Sequence, residues 1–539
     1  MRIIPKQINF EKLNENLNNV SFKITQRNVE IQKEKLRLAV NASGIGGTNA
    51  HIIMESDNRL YHLSSYQQNI PHSFHALTIS ARTKNACMQL CNRIANYLKS
   101  KMNLTQIAST LQNYREHYEY RIGLSVSSAS DAINQLKNVD QIQKIIELKS
   151  ENIAFYFSPQ GLEYPNIGLE AMTENEVFRE VMQKCCQIAS KLIGVNFQSI
   201  IHSQQKIDNQ EMIFEQPYSQ MAIFIVCFAL AEQLRAWGID ACIMMGHSLG
   251  EYVAAAQADV FDVETALKIL FKRGCLIAKT AKAKMLAVKC SKFTAKLMEE
   301  NIGDIKIPED IEISAILRSD LKCLIGKPEI IDELKKKLEK NENHHRELAT
   351  NYGFHCSFMD SILEEFAQFL KNFTFRKPTK QILSNIDGQL ITHFDSKYMV
   401  KHMRSAIRID KCIENLHNRN IKVIVEIGPK GIVESLLKDN SSYEIDVIST
   451  LPSKKQHEKG YDTGNLLAIA TKLWMKGYNE LNWEKICGDY GFDRFLPNYQ
   501  FEKDICWDNQ IQKANIEKPE ISLYEPCWIP CKFSTLRRL

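Results

Sequence analysis

The pentapeptide Gly246-His247-Ser248-Leu249-Gly250 follows directly on the apolar run Ala241-Cys242-Ile243-Met244-Met245. A short apolar run of this kind reads as a buried strand. Small residues flank the serine, and Glu251, Tyr252, Val253 and three alanines after it read as a helix. Together they predict a tight strand-to-helix turn. Such a turn exposes the Ser248 hydroxyl at the top of a sheet, with a helix N-terminus beneath it. A serine placed this way is suited to carry an acyl group. The pentapeptide alone fits many unrelated chains, so the rest of the sequence decides which chemistry follows.

Length and charge narrow the choice. At 539 residues the chain exceeds one domain, and about two to four units are expected. Sixty-eight Lys and Arg against 63 Asp and Glu leave a net charge of +5, too balanced for a nucleic-acid partner. Fifteen cysteines without a secretory signal read as reduced thiols in a cytoplasmic protein. Cys185 and Cys186 are adjacent but lack metal-ligand spacing around them, so no metal site is expected. The longest apolar stretch, 221–230, is about half a membrane span. It reads as a core helix, with no membrane partner. No internal repeat or low-complexity segment is visible.

Along the chain, residues 1–35 are polar and rich in Asn and Lys. Two short strands, 36–40 and 51–54, flank the glycine-rich stretch 41–50. No helix follows those glycines as a phosphate loop requires. Residues 60–150 read as a small α/β unit: strands 76–80 and 121–127, helices 86–99 and 104–114. From Ile153 strands and helices alternate, which predicts a doubly wound α/β domain. Residues 284–350 interrupt it with strands 285–289, 311–317 and 323–326 and helices 292–300 and 328–340. That order fits an inserted ferredoxin-like subdomain. The main domain resumes near Tyr352 and includes strands 423–428 and 445–450. A helix, 464–476, and a coil-like tail follow.

Several separated motifs resemble the acyltransferase region of a modular type I polyketide synthase, related to malonyl-CoA:acyl carrier protein transacylases. Phe157-Ser158-Pro159-Gln160-Gly161 resembles the family's first-strand loop, and Gly246 to Tyr252 its nucleophile elbow. Arg273-Gly274 resembles its carboxylate-binding arginine, and Gly353-Phe354-His355-Cys356-Ser357 its histidine motif. Ser384-Asn385-Ile386-Asp387-Gly388 and Glu426-Ile427-Gly428-Pro429 resemble two further loops. The flanks match as well. Residues 41–54 are similar to the last strands of a ketosynthase, 62–150 to the linker between ketosynthase and acyltransferase, and Leu496-Pro497-Asn498-Tyr499-Gln500-Phe501 to the linker that wraps back afterwards. The resemblance implies an α/β-hydrolase-like core with the ferredoxin-like insertion and a small α/β linker domain. It divides the chain into a ketosynthase remnant (1–60), a linker domain (61–150), the acyltransferase (151–455, with 284–350 inserted), a second linker (456–510) and a tail (511–539). Both ends then look cut from a larger synthase.

Residue roles follow from chemistry and from the resemblance together. A serine hydroxyl is a poor nucleophile at neutral pH and needs a base. His355 is the candidate base for Ser248, and His247 reads as support beneath the turn. The tetrahedral intermediate needs N–H donors: Leu249 at the helix start supplies one, and the resemblance assigns the other to Gln160. Pro159 replaces a usual glycine there, but the donor needed is on the next residue. The resemblance makes Arg273 the partner of a malonyl carboxylate, held by paired hydrogen bonds. The alternative is a surface arginine beside Lys272. Phe354 and Leu249 stand where the family's malonyl-preferring members carry the same residues. An α/β-hydrolase would need an acid to orient its histidine, and neither Asp262 nor Asp320 stands in a recognisable motif. The family uses a carbonyl or amide instead. The matching position is His402, whose imidazole would serve in one tautomer. The implied reaction moves a malonyl group from malonyl-CoA through Ser248 to the phosphopantetheine thiol of an acyl carrier protein. It requires no bound metal or redox cofactor, and its partners are the carrier protein and other synthase domains. Two alternatives stay open: a serine hydrolase of acyl thioesters, and a non-catalytic docking fragment.

Overall fold

The computed structural model describes residues 3–13, 23–31, 36–55, 73–100, 103–139, 142–202, 212–289, 301–302, 305–341, 343–431, 433–438, 443–457 and 462–502. The chain divides into Met1–Tyr499 and Gln500–Leu539. Only 500–502 of the second unit are described, and the expected helix 292–300 and the tail 511–539 lie outside the described residues.

The centre of the first unit is a five-stranded parallel sheet. Its order is Gln381–Leu383, Ile243–Gly246, Ile153–Phe157, Val423–Pro429 and Asp446–Leu451. In chain order the strands stand third, second, first, fourth and fifth, so the winding reverses beside Ile153–Phe157. Parallel strands need crossover segments on both faces, which explains why these strands are mostly apolar. All five residues of Ile153–Phe157 are buried. The helix Tyr218–Ala236 crosses one face and carries the apolar run 221–230 into the core, where Met221 to Cys227 are all buried. Among the described residues it is the one helix long and apolar enough to span a membrane, and 78% of that window is inside the fold.

A second sheet orders His345–Leu348, Lys284–Lys289, Leu321–Gly326, Glu312–Arg318 and Ile407–Arg408. Its first four strands pair antiparallel, and the helix Pro328–Lys340 begins on a proline at its first turn. The last strand comes from outside 284–350 and runs parallel to Glu312–Arg318. It ties this sheet to the segment just after His402. A third sheet, His75–Ala81, Tyr120–Val126 and Gln143–Lys144, packs with helices Lys84–Leu98 and Leu104–Asn113. The later chain returns to it. The Arg121 guanidinium donates to the Trp474 carbonyl (2.8 Å) and Asn479 Oδ1 (2.9 Å), and the Tyr97 hydroxyl donates to Asp493 (2.6 Å).

The glycine-rich loop is shorter than its sequence implies. The hairpin Arg37–Ser43 with Asn49–Glu55 stays paired down to Ser43 and Asn49, leaving a turn of 44–48. Gly44 N–H bonds the Thr48 carbonyl at 2.8 Å, and Gly47 sits at φ +88°.

Candidate active site

The elbow is built on two glycines. A Cβ at Gly246 would lie 1.9 Å from the Gly250 carbonyl carbon, and one at Gly250 would lie 2.2 Å from the Phe157 carbonyl oxygen. Only hydrogen fits where strand and helix approach so closely. Between them Ser248 takes φ +52°, a left-handed conformation that costs about 1–3 kcal/mol and is held by its surroundings. The Asn385 side chain supplies part of that hold. Its Oδ1 accepts the Ser248 N–H at 2.9 Å, and its Nδ2 donates to the Gly246 carbonyl at 2.6 Å. Gly250→Ala is expected to displace the helix from the strand, destabilise the fold by about 2–4 kcal/mol and remove the elbow. Thermal unfolding checks the first effect and active-serine labelling the second.

The fold brings Ser248 and His355 together. Ser248 Oγ lies 2.6 Å from His355 Nε2. His355 is 5% exposed and takes φ +60°, so it too is held in a strained backbone. Its Nδ1 lies 3.0 Å from the main-chain carbonyl of His402. A carbonyl can only accept, so Nδ1 carries the ring proton and Nε2 presents its lone pair to the serine. This corrects the expectation for His402: the residue holds His355 through its carbonyl and not through its imidazole. That carbonyl belongs to the last turn of helix Ser396–Arg404, where four carbonyls lack intrahelical partners. Burial, reinforced by the Arg273 charge, pushes the His355 imidazole down to about 3. It is neutral, and a proton acceptor, throughout the physiological range.

Neither acid singled out from the sequence approaches this pair. Asp262 caps the helix Val263–Ile277, and Asp320 pairs with Arg318. The carboxylate behind the site is Glu251, which sequence reasoning did not select. It is fully buried. It accepts from the Asn385 N–H and Nδ2 (both 2.7 Å) and from the Tyr398 hydroxyl (2.7 Å). Through Asn385 it braces the elbow. Burial pushes it up to about 7 against those donors. The His402 imidazole is enclosed between Glu251, 3.7 Å from its Nε2, and the Tyr398 and Tyr252 rings. His247 supports the turn from below, 3.1 Å from the Tyr156 hydroxyl, with burial holding it down at about 4.

Arg273 is not a surface residue. It is 1% exposed on the helix Val263–Ile277; its Nη1 donates to Gln220 Oε1 at 2.6 Å, and the Tyr252 side chain favours its charge. Its Nε is buried without a partner, and no carboxylate pairs with it among the described residues. Its guanidinium lies 5.4 Å above the Tyr252 ring. A buried charge left uncompensated is strongly unfavourable, so this one is poised for an anion. The N–H groups of Leu249, next to Ser248, and of Gln160 find no acceptor in the protein among the described residues. Gln160 is fixed through its side chain, which donates to Ser219 at 2.7 Å. Phe354, half-buried, packs its ring 6.3 Å from Tyr352.

Comparison with known proteins fits this geometry. The family model for the acyl transferase domain matches residues 154–479, and that for the ketoacyl-synthetase C-terminal extension matches 14–124. The chain is 24% identical over 527 residues to the highly reducing polyketide synthase anuA of Penicillium roqueforti (strain FM164), covering 91% of this chain and 24% of the relative. It is 24% identical to the probable polyketide synthase 23 of Dictyostelium discoideum, covering 96% of this chain and 22% of the relative. The chain thus spans about a quarter of the length of the curated relatives it matches. Among solved structures, the acyl transferase domain of ZmaA superposes with a TM-score of 0.70 at 28% identity, covering 79% of this chain and 99% of that one. The acyl transferase domain of SpnD, in complex with 2-(pent-4-yn-1-yl)malonyl, gives 0.66 at 25% identity over 75% and 96%.

Proposed function

The chain belongs to the acyl transferase domain family as polyketide synthases carry it, and from that membership we propose a two-step malonyl transfer. Ser248 takes the malonyl group from malonyl-CoA, and the phosphopantetheine thiol of an acyl carrier protein takes it from Ser248. The observation that carries this reading is Arg273: a buried guanidinium that no carboxylate pairs with among the described residues, close enough for its charge to act on His355.

In the first step Ser248 Oγ attacks the thioester carbonyl while His355 Nε2 accepts the hydroxyl proton. The oxyanion develops towards the Leu249 and Gln160 N–H groups. Collapse breaks the carbon–sulfur bond, and His355 returns its proton to the departing CoA sulfur. In the second step the carrier thiol gives its proton to His355 and attacks the seryl ester. Ser248 leaves with that proton. A carboxylate on Arg273 orients the carbonyl, whereas an acetyl group leaves the buried charge bare. Phe354 and Leu249 are proposed to shape the space beside the malonyl α-carbon.

The domain reading rests on similar ground. The first four strands of the second sheet run fourth, first, third, second, which supports a ferredoxin-like insertion at 284–350 within an α/β-hydrolase-like core at 151–455. We assign 1–60 to the C-terminal part of a ketosynthase, 61–150 to the linker domain, and 456–510 to the returning linker.

The test separates transfer from hydrolysis. Enzyme malonylated with labelled malonyl-CoA is freed of excess substrate and divided. Label that stays on the protein in buffer and moves to added holo-carrier protein supports transfer. Label released as free malonate at the same rate with or without carrier makes the protein a hydrolase.

A further inference from the structure

Gln220 stands in the first turn of Tyr218–Ala236, fully buried, one residue before the long apolar run. Its amide is oriented at both ends. Nε2 donates to Gln216 Oε1 at 2.6 Å, so Oε1 is the atom left to accept from Arg273 Nη1, also at 2.6 Å. Gln216 is in turn pressed onto the helix that carries the arginine. A Cβ at Gly274 would come within 2.5 Å of Pro217 and 3.1 Å of Gln216 Oε1. The two amides and the guanidinium therefore form one chain, with the Tyr252 ring beneath its end.

This arrangement decides how an anion can approach. Nη1 is engaged, and Nε is buried with no partner. The two-donor edge of the guanidinium that includes Nε is the side formed with Nη2. A carboxylate docked side-on there satisfies the orphaned donor, and one docked end-on does not.

We propose that Gln220 is a specificity-determining residue: it locks Arg273 by Nη1 so that the carboxylate of an acyl-CoA monoacid docks side-on at Nε and Nη2. The proposal rests on the reading of Arg273 as the carboxylate's partner. Gln220 touches no reacting atom, and it acts by fixing the guanidinium plane and by withholding a negative charge of its own. A carboxylate at this position would pair with Arg273 from within the protein. The buried charge would then be compensated whether or not the substrate carried one, and the penalty against acetyl groups would vanish.

Two variants and two readouts test it. Gln220→Glu is expected to lower kcat/KM for malonyl-CoA about 100-fold while acetyl-CoA is held or improved, so the malonyl-to-acetyl ratio collapses. Gln220→Leu removes the acceptor without supplying a charge. It is expected to lower kcat for malonyl-CoA about tenfold or more through misorientation, with the preference over acetyl kept. The second readout needs no turnover: the rise in melting temperature on adding free malonate, with acetate as control. Wild type and Gln220→Leu are expected to be stabilised by malonate, and Gln220→Glu not. Malonate stabilising Gln220→Glu as strongly as wild type, no stabilisation of wild type, or an unchanged malonyl-to-acetyl ratio in Gln220→Glu each overturn the proposal. If wild type is stabilised by malonate in the expected pattern but forms no malonyl ester, the transfer reading falls while the docking assignment stands.

Discussion

His355→Ala is expected to slow malonylation of Ser248 about 10²–10⁴-fold, the range for losing a positioned general base. The His402 carbonyl fixes the proton on Nδ1, and Nε2 therefore faces Ser248 Oγ at 2.6 Å as an acceptor. Burial and the Arg273 charge keep the ring neutral. Among the described residues no second base is placed to replace it. His247 is turned to the Tyr156 hydroxyl, and the His402 ring is enclosed by Glu251, Tyr252 and Tyr398. Malonyl-CoA binding is expected to change little, since Arg273, the proposed partner of its carboxylate, is untouched. Single-turnover acylation separates the two: the loss is expected in the maximal rate and not in the half-saturating concentration. A loss under tenfold in a folded variant would mean that another group takes the proton.

Arg273→Leu is expected to move stability and activity in opposite directions. The native guanidinium is buried, and among the described residues its Nε is unpartnered and no acid pairs with it. Replacing a buried ion pair with apolar side chains is often neutral or stabilising, by about 1–4 kcal/mol, and a buried charge without an ion-pair partner has less attraction to lose. Among the described residues only the Gln220 amide and the Tyr252 side chain offset the charge in the free protein, so removing it is expected to outweigh the loss of those contacts and raise the melting temperature. The same change removes the proposed partner of the substrate carboxylate. The kcat/KM for malonyl-CoA is expected to fall about 10²–10³-fold, and that for acetyl-CoA to hold or rise. Such opposition is expected where a site is built for a ligand and not for the fold. A variant that melts lower and keeps its preference for malonyl-CoA would make Arg273 a structural residue.

The sequence carried the elbow because both of its glycines are demanded by contacts a Cβ cannot share. It carried the helices of residues 84–113 and 328–340 through period and caps: Thr83 and Asn103 cap the first two, and a proline opens the third. Strand His345–Leu348 was missed because His, Arg and Glu mask the alternation at a sheet edge. Strand Ile407–Arg408 is too short to leave a pattern. The group that orients His355 was illegible in kind. A main-chain carbonyl has no side-chain signature, so reasoning from residue types reached His402 and stopped at its imidazole. Glu251 gave no signal either, since an acid in a helix's first turn is ordinary and its burial comes from Asn385 and Tyr398 far along the chain. Gln220 did leave a trace. An amide at the border of the apolar run 221–230 is a polar group carried into the core, and such a group needs a partner.

The central claim is that Ser248 carries the malonyl group. The intact mass of the purified protein after brief exposure to malonyl-CoA tests it most directly, with Ser248→Ala alongside. A single malonyl adduct on wild type, absent from Ser248→Ala, is the result predicted. No adduct on the folded wild type, with no free malonate released, or an equal adduct on Ser248→Ala, would contradict it.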